Sequence, residues 1–92
     1  MIQKVKVLKG QTLTREKIAR ILISARSTYD YARFDLWNGK YIVINFTRDN
    51  KYEIATNSRD YNIVYDIKVV KATRQFSSLT GFVYKWLPKL SK

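Results

Sequence analysis

The side chains with most chemistry to offer in this chain are its cations. Eighteen lysines and arginines stand against seven carboxylates, and histidine and cysteine are absent. Without cysteine there is no disulfide, thiolate metal ligand or thiol nucleophile. Without histidine the commonest general base and the commonest metal ligand are gone too. The seven acids form no clustered metal motif, so the chain is read as a non-enzyme with no catalytic residue, metal or cofactor. One catalytic scheme stays open to such a composition, a small basic ribonuclease using Arg, Lys, Tyr and Glu. Glu53 is the strand carboxylate that would serve it, and non-catalytic binding is preferred.

The net charge of +11 is uneven along the chain. Residues 1–15 carry Lys4, Lys6, Lys9 and Arg15 and no acid, which is +4. Residues 16–66 carry eight cations and seven acids, which is +1. Residues 67–92 carry Lys68, Lys71, Arg74, Lys85, Lys89 and Lys92 and no acid, which is +6. Solubility alone asks for a net charge of magnitude about 2–8 in a small domain. Two acid-free ends around a balanced middle fit a local surface that faces a polyanion. Lys4, Lys6, Lys9, Lys68, Lys71, Arg74, Lys85 and Lys89 are therefore the expected nucleic-acid-binding residues, on one continuous basic surface, with DNA and RNA both open as partners. Several tyrosines neighbour a cation in sequence: Tyr31 with Arg33, Tyr52 with Lys51, Tyr61 with Arg59, Tyr84 with Lys85. Such interleaving suits phosphates and bases together, although half-exposed strands tolerate the same residues.

The elements that must position these side chains follow from periodicity. Ninety-two residues suffice for one domain, 1–92, with 46% hydrophobic and 27% charged residues as in ordinary globular chains. Residues 2–9 alternate Val5 and Val7 against Lys4 and Lys6, the pattern of a half-buried strand. Residues 14–25 place Ile18, Ile21, Leu22 and Ala25 at helical spacing, with Thr14 as N-cap and a Leu13–Ile18 staple. Ile23 falls off that stripe. Four strands follow, at 30–37, 40–47, 51–57 and 62–71. A two-residue turn at Asn38-Gly39 would set the apolar residues of the first two on opposite faces. A three-residue loop, Trp37-Asn38-Gly39 with Gly39 left-handed, pairs Phe34 with Ile42 and Ala32 with Ile44 and keeps one face buried. A loop Arg48-Asp49-Asn50, with Asn50 left-handed, pairs Phe46 with Tyr52 and Ile44 with Ile54. A four-residue connection, Ser58 to Tyr61, sets Thr56 opposite Ile63.

The C-terminal stretch reads in two ways. Leu79, Phe82, Val83, Trp86, Leu87 and Leu90 make a helical stripe that Pro88 would stop near Leu87, while Phe82, Tyr84 and Trp86 would share a face in a strand. The helix is preferred. The expected fold is α+β, ordered β-α-β-β-β-β-α, an antiparallel meander sheet packed by the N-terminal helix. Its second face would show Tyr31, Arg33, Asp35, Tyr41, Val43, Asn45, Glu53, Ala55, Val64, Lys68 and Val70, and the C-terminal segment is expected to cover it. Left uncovered, Tyr31, Tyr41, Val43 and Val64 become a protein-interaction face. The alternative function is accordingly a small phage- or mobile-element-type inhibitor that engages a host protein or nucleoprotein. No run of 18 apolar residues and no apolar leader stand in the chain, so no membrane partner and a cytoplasmic location are expected.

Overall fold

The computed structural model describes residues 2–48, 52–57 and 76–91. In chain order they form β1 (Gln3–Val7), α1 (Arg15–Ser27), β2 (Tyr31–Leu36), β3 (Tyr41–Phe46), β4 (Tyr52–Thr56) and α2 (Phe76–Leu90). The four strands make one sheet in the order β1-β2-β3-β4. The expected strand 62–71, its turn at Ser58 to Tyr61 and the Asn50 turn position lie outside the described residues.

The sheet corrects the expected meander. β1 pairs with β2 in parallel, and only β2–β3 and β3–β4 are antiparallel. The cause is the connection: α1 carries the chain back along the sheet, so β2 re-enters in the direction of β1. The hairpin registers follow burial as expected. Phe34 pairs with Ile42 and Ala32 with Ile44. Phe46 pairs with Tyr52 and Ile44 with Ile54. Gly39 sits at φ +84°, and its N–H donates to Leu36 O at 3.1 Å while Leu36 N–H donates to Lys40 O at 2.8 Å. That is a three-residue loop whose bulge takes up the one-residue shift. Asn57 braces it, accepting from Tyr41 N–H at 2.9 Å and donating to Gly39 O at 3.1 Å.

α1 begins where Thr14 Oγ1 accepts from Lys17 N–H at 3.2 Å. Leu13, Ile18, Ile21, Leu22 and Ala25 are buried, and Ile23 is 53% exposed. The helix ends in a Schellman arrangement: Tyr29 N–H donates to Arg26 O at 3.1 Å and Asp30 N–H to Ala25 O at 2.9 Å. The residue in the left-handed position is Tyr29, at φ +54°, where glycine fits best. Arg48 offsets part of the strain by stacking on the Tyr29 ring at 4.9 Å. Tyr29→Gly is therefore expected to raise stability by up to about 1 kcal/mol, since the left-handed penalty of about 1–2 kcal/mol exceeds the lost stacking. Tyr29→Ala keeps the penalty, loses the ring and should lower stability. Equal thermal shifts for the two variants would contradict this account of the turn.

α2 is a helix, as preferred, but Pro88 does not stop it at Leu87; it runs to Leu90. The proline removes one hydrogen bond in the last turn. Leu90, one residue past Lys89, is fully buried and rewards the extra turn. The hairpin supplies the end caps: Asn38 Nδ2–H donates to Leu90 O at 2.9 Å and Trp37 Nε1–H to Ser91 O at 2.8 Å.

α2 also corrects the second expectation about layers. Leu79, Phe82, Val83, Leu87 and Leu90 join Ile18, Leu22, Phe34, Ile42 and Ile44 in one core. α2 therefore packs beside α1 on the same side of the sheet and leaves the other face uncovered among the described residues. Four greasy positions of α1 could not close over the sheet's whole apolar face, and α2 completes the lid.

Candidate nucleic-acid interface

The eight expected binding residues divide by layer. Lys4 and Lys6 are exposed on the sheet face away from the helices, because the strand pleat turns Val5 and Val7 inward. In register, Lys4 lies beside Arg33 and Lys6 beside Asp35. Arg33 Nε–H donates to both Asp35 carboxylate oxygens, at 2.9 and 3.0 Å, and its guanidinium lies 4.3 Å from the Tyr41 ring centroid. Glu53 is exposed on the same face, beside Asn45. Three cations and two acids thus leave the described part of this face near balance, at +1.

Lys9 lies in the loop after β1, with Nζ 5.0 Å from the Trp37 ring centroid. Trp37 is 41% exposed and held from below by Ser91. Lys85 and Lys89 are exposed on α2, and Lys89 Nζ lies 4.5 Å over Trp86. They belong to the helical layer, on the opposite side of the sheet from Lys4 and Lys6. The described residues of the two acid-free ends therefore do not form one continuous patch. Lys68, Lys71 and Arg74 lie outside the described residues.

The helical layer carries more charge than the sequence reading gave it. Arg15, Lys17, Arg20 and Arg26 of α1 are all exposed, as are Lys85 and Lys89 of α2. Glu16 is the single acid within these two helices, so the layer holds +5. Averaging over residues 16–66 hid Lys17, Arg20 and Arg26 among the seven acids of that segment. The signal was present: every α1 cation falls off the stripe Ile18, Ile21, Leu22 and Ala25, so the helix had to show them outward. Arg15 spans the two helices, with its guanidinium 4.7 Å from the Tyr84 ring centroid.

The aromatic partners are set by folding and not by neighbourhood in sequence. Tyr41 takes Arg33, Tyr84 takes Arg15 and Tyr29 takes Arg48. Tyr52 is buried against Phe46, ring centroids 6.4 Å apart, and burial pushes its phenol pKa up. It belongs to the core. Of the expected protein-interaction face, Tyr31, Tyr41 and Val43 lie half-buried on the sheet face away from the two helices, and Val64 lies outside the described residues.

A cleft between the 8–13 loop and α2, bordered by Val7, Gln11, Tyr84 and Pro88, has a volume of about 10 Å³. That is room for about one water molecule, not a small ligand. Among the described residues no group of three acids could hold a metal ion, and no helix is long and apolar enough to cross a membrane. No family model, curated protein or solved structure matches the chain.

Proposed function

We propose that the protein binds nucleic acid without catalysis, through cations that meet phosphates. The observation that carries this reading is the charge itself. The full chain holds +11, and the described residues hold twelve cations against four acids, with Asp35 tied to Arg33. Phosphate neutralisation is the sequence-independent term of nucleic-acid affinity, and it needs exposed lysine and arginine without nearby carboxylates. Lys4, Lys9, Lys85 and Lys89 are exposed and suit that role.

A second reading is favoured by one observation of its own. α2 does not cover the sheet face that carries Tyr31, Tyr41 and Val43, and these half-buried side chains suit docking of a protein. A small inhibitor of a host protein or nucleoprotein would use such a face.

Equilibrium titration of the full chain with single- and double-stranded DNA and RNA at physiological salt separates the two. The nucleic-acid reading expects dissociation constants of about 10⁻⁴–10⁻⁶ M or tighter for at least one of the four. No binding to any of them, with stable capture of one protein partner, favours the docking module.

A further inference from the structure

We infer that the end of the sheet where β1 and β2 finish is a stacking site for one unpaired base of a nucleic-acid strand, with Trp37 as the platform and Lys9 as the contact to that nucleotide's phosphate. The inference rests on the nucleic-acid reading and names the group recognised and the place that recognises it.

The parallel pairing of β1 and β2 builds the site. Val7 lies beside Leu36 at the last rung, so both strands leave the sheet at the same end. Leu8 and Lys9 continue from one strand and Trp37 from the other. Both sides are held. Gln11 N–H donates to Leu8 O at 3.0 Å, and Leu8 N–H donates to the Gln11 side-chain oxygen at 2.9 Å. Gly10 takes the left-handed φ of +79° inside this turn, next to Lys9. Trp37 Nε1–H donates to Ser91 O at 2.8 Å, which pins the indole. Trp37 still keeps 41% of its surface in solvent and Leu8 59%. An indole is a large flat π-surface, and one already pinned gives up little freedom when another ring lands on it.

The cation sets the class of ligand. Lys9 Nζ lies 5.0 Å from the Trp37 ring centroid. Its ammonium rides on a flexible stem, so it can leave the ring for a phosphate while the ring takes the base. A nucleotide carries a flat π-face and a phosphate together, and these are the two groups that Trp37 and Lys9 suit. A neutral sugar offers Lys9 no charge to meet. A duplex keeps its bases stacked on one another and presents its phosphates alone, so the base comes from a single strand.

The test uses the full chain with single-stranded and duplex probes of one sequence. Anisotropy of labelled probes reads affinity, and intrinsic fluorescence with unlabelled probes reads the ring. Trp37 and Trp86 are the two tryptophans of the chain, so Trp37→Ala leaves Trp86 as the sole indole. Positions 9 and 37 are exposed, so thermal unfolding should confirm that variants there keep the parent's fold. The single strand should quench the parent's emission, and the quench should vanish in Trp37→Ala. Trp37→Ala should also weaken single-strand binding about 5- to 150-fold, the range for one lost base stack. It should leave duplex affinity and the salt slope unchanged. Trp37→Phe keeps a ring without the bond to Ser91 and should recover most of the lost affinity. Lys9→Gln should flatten the single-strand slope of log affinity against log salt by about 0.7, one phosphate contact. Quenching that persists in Trp37→Ala, or a Trp37→Ala that binds the single strand as tightly as the parent, overturns the inference while the nucleic-acid reading stands. A Trp37→Phe as weak as Trp37→Ala overturns stacking in favour of the tie to α2. A parent protein that binds neither probe removes the reading on which the inference rests.

Discussion

Phe34→Ala is expected to lower the unfolding free energy by about 3–5 kcal/mol. Phe34 is fully buried in the second strand of the sheet, paired with Ile42 and packed in one core with Ile18 and Leu22. Removing the ring forfeits its transfer free energy and leaves a cavity that the rigid sheet beneath it cannot close. Small domains hold only about 5–15 kcal/mol in total, so the variant should stand near its unfolding threshold. Ile44→Ala, buried one strand over, should cost about 2–5 kcal/mol. Arg33→Ala is the control. It neighbours Phe34 in sequence but faces the other side, where its ion pair with Asp35 is more than a third exposed. Such pairs contribute at most about 1 kcal/mol. Urea denaturation ranks the three, and a costlier Arg33→Ala than Phe34→Ala would show that the register is wrong.

Val83→Asp should be at least as damaging. Val83 is fully buried in α2, and the described residues of that core hold no cation to balance a carboxylate there. Burying an unpaired charge is among the few single changes that unfold a domain of this size. Lys85→Asp, two residues on and exposed, should leave stability within about 0.5 kcal/mol. The comparison reaches past stability. In a strand, residues 83 and 85 would share a face and the two substitutions would behave alike. A large difference between them reports the helix and its docking together.

The pattern of what was legible in the sequence follows the range of the interactions. The stripe of α1 and its Thr14 cap are local, and periodicity of about 3.6 reads them directly. The two hairpin registers are nearly local: burying Phe34, Ile42 and Ile44 on one face decided the bulged loop at Gly39 over the tighter Asn-Gly turn. The direction of β1 was not legible, because alternation in residues 3–7 is the same whether the neighbour runs parallel or antiparallel. The side on which α2 docks was hidden for a similar reason. Its apolar stripe shows that it must be buried, but either sheet face offers apolar partners. The length of α2 depended on Asn38 and Trp37, some fifty residues away, capping the turn beyond Pro88. Of the candidate site, the amount of charge was plain and its layer was not. Lys4 and Lys6 could be placed on one strand face from pattern alone, yet Asp35 as the register partner of Lys6 follows only from the parallel pairing.

The central claim is that phosphates hold the ligand, and the dependence of affinity on salt measures that claim most directly. The parent protein should be titrated onto a duplex from about 50 to 200 mM monovalent salt. With at least four phosphates neutralised, log affinity should fall against log salt with a slope of about −3.6 or steeper, a loss of about a hundredfold over that range. An affinity that holds constant across the same range would contradict the account, and the sheet face away from the helices, with Tyr31, Tyr41 and Val43, would then be the surface to explain.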